Sequence, residues 1–193
     1  MTLLWAAPFL LVAVVAFPLV AIINARRTQE DGLEALSRTA LYLQLLVIQL
    51  ILASLGALAA YGADLPIVLR ARVDARTLTT SAGLLTLAVL LSLAFRDPRK
   101  LRPELSKLLV PHAAGEWALW TAAMVASAVV EEFAYRGVLF TLASRFFDSW
   151  IVPAALSALV FGLTHAAQGW RGVVLSAGFG LGFQLLVLWS GGL

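Results

Sequence analysis

Two glutamates, an arginine and a histidine are the residues of this chain whose types and spacing could do chemistry. Glu131, Glu132 and Arg136 stand in Val129-Val130-Glu131-Glu132-Phe133-Ala134-Tyr135-Arg136-Gly137-Val138, a run otherwise apolar enough to cross a bilayer. A charge held at mid-membrane costs roughly 2.5–3.5 kcal/mol on insertion scales, so a cluster of them needs a reason. In a helix Glu132 and Arg136 share a face, acid before base, the better order for an ion pair. Glu131 points about 100° away and keeps no cationic partner on its own helix. The pattern neutralises one carboxylate in place and leaves the other free for chemistry. The histidine is His165, in Phe161-Gly162-Leu163-Thr164-His165, within a stretch that has no charged residue from Ser149 to Trp170. A membrane-embedded histidine needs a partner or a wet cavity.

These two signals can meet. The turn between their helices centres near Asp148, with Glu131 17 residues before it and His165 17 after it. In an antiparallel hairpin both then lie about 25 Å from the turn, at matched depth. A carboxylate and an imidazole in a buried site can bind a divalent metal such as zinc, Glu131 and His165 being the ligands. Alternatively, Glu131 is a general base on a water that His165 orients. Both routes lead to an activated water and so to hydrolysis.

The elements that must position these groups are membrane helices. The chain is 61% hydrophobic and only 13% charged, against about 25% charged in soluble domains. The net charge of +3 does not point to nucleic acid, because the basic residues sit mostly in short loops, where they set topology. There is no cysteine, which excludes disulfides and thiolate metal sites. The first apolar run has no Lys or Arg before Asn24 and reads as a retained span, not a signal peptide.

Uncharged stretches 1–25, 39–63, 77–95, 149–170 and 172–193, with 117–144 once its charges are admitted, predict six spanning helices. The fold class is therefore all-α, a polytopic transmembrane bundle. Trp5, Trp117, Trp150, Trp170 and Trp189 fall near the helix ends, as an aromatic belt requires. The loops are expected at 24–38, 64–76 and 96–116, with Leu65–Leu69 at the interface and Leu101–Val110 resting on the membrane surface. Lys and Arg favour the odd-numbered loops, nine to four, which puts those loops in the cytoplasm and the N-terminus outside. Residues 1–111 form an N-terminal group of helices and basic loops, and 112–193 carry the chemical signals.

Plainer roles compete for each residue. A Glu–Arg pair is often glue between membrane helices, and a lone His is often hydrogen-bonded packing. Gly178-Phe179-Gly180-Leu181-Gly182 follows no strand and is not a nucleotide loop; it reads as a close helix contact through Gly178 and Gly182. Gln184 either bonds across the bundle or lines the cavity. His112, beside Pro111 in a loop, is expected to be exposed.

Glu131-Glu132-x-x-x-Arg136-Gly137 followed by Phe161-x-x-x-His165 resembles the first two motifs of the CPBP family of intramembrane proteases. This family includes the CAAX prenyl endopeptidases and bacterial proteins linked to bacteriocin processing or immunity. The resemblance covers about 115–193. It implies that Glu131 is the catalytic glutamate and His165 the first active-site histidine, with Glu132, Arg136 and Phe161 in support. It also implies a divalent metal, zinc being the usual label, or a glutamate-activated water without one. The partners implied are membrane lipid and a peptide or protein substrate, prenylated or not, with no nucleic acid. Members carry a later His-x-x-x-Asn motif, whereas no histidine follows His165 here. The chain is therefore expected to be cut short before that helix.

The leading expectation is an integral membrane endopeptidase of the bacterial inner membrane. A non-catalytic immunity or scaffold protein, using the polar cluster for packing, is the alternative. A transporter with Glu131 and His165 as ion sites comes third, without an inverted repeat to support it.

Overall fold

A computed structural model describes residues 3–30, 37–66, 75–94 and 110–190, and these are helical apart from short turns. Among the described residues six helices follow one another. Helix α1 comprises Leu3–Leu10, a π-helical segment Leu11–Ala16 and Phe17–Glu30; α2 is Arg38–Gly62 and α3 is Ala75–Ala94. Helix α4 comprises Ala114–Glu131, a π-helical segment Glu132–Leu139 and Phe140–Ala143; α5 is Ile151–Thr164 and α6 is Gly169–Ser190. The all-α bundle expected from the hydropathy is what the chain forms. Among the described residues four helices are long and apolar enough to cross a membrane: Leu4–Asn24, Arg38–Gly62, Ala114–Ala143 and Ala166–Ser190. The shorter apolar segments are Ala75–Leu91 and Ile151–Thr164. Leu11, Val15, Leu50, Leu85, Leu90 and Val125 are exposed, which suits lipid, and the chain is an integral membrane protein.

The helix ends follow local chemistry more than hydropathy. Helix α1 runs past Asn24 through the polar residues to Glu30, because Arg, Gln and Glu are good helix formers wherever water can reach them. The Ser37 hydroxyl accepts from the Ala40 N–H at 3.2 Å and caps α2. The Glu116 carboxylate accepts from the backbone N–H of the exposed His112 at 2.8 Å and starts α4. Pro8 and Pro18 flank the π-helical part of α1, and each lacks the N–H that a regular helix would pair. Most of Leu65–Leu69 and of Leu101–Val110, assigned above to the membrane surface, lies outside the described residues.

Helices α1, α2, α4 and α5 enclose the core, α6 packs on α5, and α3 lies outermost on α6. The core joins Ala6, Phe9 and Ala13 of α1 to Leu52 and Ala59 of α2, Tyr135 and Val138 of α4, and Val160 of α5. Lipid is as apolar as these side chains, so close approach of small residues, not hydrophobic burial, holds the helices together. Gly56 of α2 shows this: a Cβ there would stand 3.0 Å from the Phe133 ring and 3.6 Å from Phe9.

Candidate active site

The acidic motif lies where α4 changes from α- to π-helical winding, between Glu131 and Glu132. Six consecutive residues, Ala134 to Leu139, are buried, so helices surround the segment on all sides. The uniform α-helix assumed in the sequence reading is corrected here, since a π-turn makes room for Arg136 inside the bundle. Arg136 is 3% exposed. Its Nη1 lies 3.3 Å from Glu132 Oε1, and its guanidinium carbon lies 4.1 Å from the centre of the Phe161 ring. The expected Glu132–Arg136 pair is present and is clamped against α5. Gly180 of α6 closes the third side: a Cβ there would meet Phe161 at 3.2 Å, Ala158 at 3.3 Å and Arg136 Nη2 at 3.4 Å.

Glu131 faces α2 instead. Gln49 Nε2 donates to Glu131 Oε1 at 3.2 Å and to Ser127 Oγ at 2.9 Å. Ser127 stands one turn before Glu131, so the two share a face of α4. No cation on its own helix pairs directly with Glu131, as expected, yet a neutral donor from another helix holds it. Sequence reasoning missed Gln49. The available signal was an amide inside the uncharged run 39–63.

His165 is not in the interior of a span. Helix α5 ends at Thr164, His165 is its C-cap, and a 3-10 turn, Ala166–Gln168, leads to Gly169 at φ 82°. Hydropathy sees an apolar run to Trp170 but not where the backbone reverses, and a positive φ is glycine's province. Glu131 still lies about 18 Å and His165 about 21 Å along their helices from the connecting turn, so the matched depth survives. The reversal also builds the histidine's environment. His165 N–H bonds Gly162 O at 3.0 Å, which leaves Phe161 O, its ordinary helical partner, open to side chains. Thr164 Oγ1 donates to that carbonyl at 2.7 Å, and His165 Nδ1 lies 3.0 Å from it. A carbonyl oxygen only accepts, so Nδ1 is the donor in this contact, and of the two neutral tautomers it selects the one with its lone pair on Nε2.

Phe161 joins these groups. Its ring centre is 4.7 Å from that of His165 and 5.4 Å from that of Tyr135, both edge-on, while its face carries Arg136. The Tyr135 side chain hydrogen-bonds Thr164, and Ser157 Oγ donates to Tyr135 O at 2.6 Å, tying α5 to α4. Glu131, Glu132, Arg136, Phe161 and His165 are thus gathered on two packed helices. Glu131 lies within electrostatic reach of His165, Arg136 and Glu132.

Two readings of α6 change. Among the described residues Gly178 has nothing within 4 Å of a would-be Cβ and Gly182 meets only Leu84 of α3, at 3.5 Å, whereas Gly180 makes the tight approach. The i, i+4 spacing of Gly178 and Gly182 was right for a helix contact, but the face turned to α5 is that of Gly180. Gln184 is 1% exposed, and neither atom of its amide has a hydrogen-bond partner among the described residues.

Glu131 and His165 could each give a metal one donor. A catalytic zinc takes three protein ligands, and among the described residues no group of three or more His, Cys, Asp or Glu could hold an ion. With Glu132 committed to Arg136, the described donor set does not fit a zinc site.

Residues 113–193 match the family model described as type II CAAX prenyl endopeptidase Rce1-like. No curated protein and no solved structure gives a significant match.

Proposed function

We propose that this chain, whose residues 113–193 match the type II CAAX prenyl endopeptidase family model, hydrolyses a peptide bond at or within the bilayer with Glu131 as the general base. That match supports a membrane peptidase acting on a peptide or protein. A substrate with a prenylated C-terminus is the class that the family's description favours. The observation that carries the base assignment is the division of labour between the two acids. Glu132 is spent on Arg136 at 3.3 Å, whereas Glu131 is held only by a neutral amide and lies within electrostatic reach of His165.

In this reading the water donates one hydrogen bond to Glu131 and the other to the lone pair on His165 Nε2. Glu131 takes the first proton as the water oxygen bonds to the peptide carbonyl carbon. The same proton then passes to the amide nitrogen, the C–N bond breaks, and a carboxylic acid and an amine leave. Arg136 and Phe161 hold the helices and the imidazole in place and touch no reacting atom.

The test is turnover of a membrane-inserted peptide by Glu131→Gln in detergent or nanodiscs. A fall of roughly 100- to 10,000-fold, the usual range for loss of a general base, is expected with helicity and unfolding midpoint unchanged. Full turnover by a folded Glu131→Gln would remove the base assignment. Absence of turnover in the parent protein on every peptide offered would favour the non-catalytic immunity or scaffold role.

A further inference from the structure

We infer that Gln49 is a positioning residue for Glu131, placed on α2 and so outside residues 113–193, which makes the N-terminal helices part of the active site. The inference rests on the reading of Glu131 as the base. A primary amide inside a membrane helix is costly unless its hydrogens are used, and Gln49 is only 6% exposed. Its Nε2 uses both: one on Ser127 Oγ at 2.9 Å, the other on Glu131 Oε1 at 3.2 Å. The amide nitrogen, and not its oxygen, faces the carboxyl, since Nε2 is the donor to Glu131 Oε1. Gln44, on the same helix, is exposed and has no such role, so the buried site and not a general tolerance of α2 for glutamine explains Gln49. A glutamine serving only as glue between α2 and α4 would need no more than the bond to Ser127; here the nitrogen makes two bonds while the buried Oε1 has no hydrogen-bond partner among the described residues. The second bond ties the carboxylate to α2 and fixes which way its other oxygen turns.

The experiment compares Gln49→Leu with Gln44→Leu in the full chain by two readouts. In the first, kcat for a membrane-inserted peptide is expected to fall roughly 10- to 100-fold, the range for a hydrogen bond to a charged group, with KM nearly unchanged. In the second, the protein is treated with dicyclohexylcarbodiimide, an apolar reagent that adds to protonated carboxyls within bilayers, and the modification of Glu131 is followed by mass spectrometry. Without its donor the carboxyl is no longer tied to α2 and is open to the reagent, and labelling is expected to quicken several-fold. Gln44→Leu is expected to change neither. Should Gln49→Leu fail to fold, the unbranched Gln49→Met replaces it. A folded variant with unaltered kcat and unaltered labelling overturns the proposal and leaves Gln49 as packing. The labelling arm needs no turnover, so faster labelling beside a fully active Glu131→Gln would condemn the base assignment and keep the Gln49–Glu131 coupling.

Discussion

The Arg136 guanidinium sits 4.1 Å from the centre of the Phe161 ring, and through that contact two motifs from different helices become one structure. Arg136 is held at one end by Glu132 and along its plane by Phe161, whose ring edge then packs on His165. The orientation of the imidazole therefore depends on a charge pair that it does not touch.

Arg136→Met is expected to lower stability by roughly 2–3 kcal/mol. This is below the 3–5 kcal/mol typical of breaking a fully buried pair, because the Glu132 side chain is 39% exposed. Arg136→Lys restores the charge but not the flat surface that lies on Phe161, so it should recover only part of the loss. Unfolding in a denaturing detergent, followed by circular dichroism, measures both. Equal stability of all three proteins would show that the pair is dispensable.

Neighbouring glycines of α6 should respond in opposite directions. Gly180→Ala puts a methyl group 3.2–3.4 Å from Phe161, Ala158 and Arg136, and is expected to cost roughly 1–3 kcal/mol by overpacking. Gly178→Ala meets nothing within 4 Å and should be neutral or gain up to about 1 kcal/mol of helix propensity. The same unfolding assay separates them, and a stable Gly180→Ala would contradict the packing of α5 on α6.

Gln184→Met should stabilise the protein by roughly 1 kcal/mol, since a buried amide without partners carries its full desolvation cost. Loss of stability instead would mean that its amide is satisfied by a group outside the described residues.

Dialysis against a strong chelator is expected to leave turnover unchanged, because the described residues gather too few donors for tight zinc binding. Inactivation reversed by added zinc would instead make Glu131 and His165 metal ligands, with the remaining donors outside the described residues.

The sequence by itself determined the helical class, the approximate helix positions and the Glu132–Arg136 pair. Each depends on local rules: transfer of apolar residues into lipid, a rise of 1.5 Å per residue and a period of 3.6. Charges inside an apolar run stand out because a membrane makes them costly.

What depends on packing between distant segments was decided only by the tertiary structure. Gln49 is 82 residues from Glu131, and nothing local to either residue indicates the other. The end of α5 at Thr164, and hence the release of Phe161 O to the imidazole, follows from the reversal at Gly169, which hydropathy does not register. Gly180 and not Gly178 faces α5 because interhelical contacts set the rotation of α6, and a helix with apolar residues on every side carries no signal of which face will be buried.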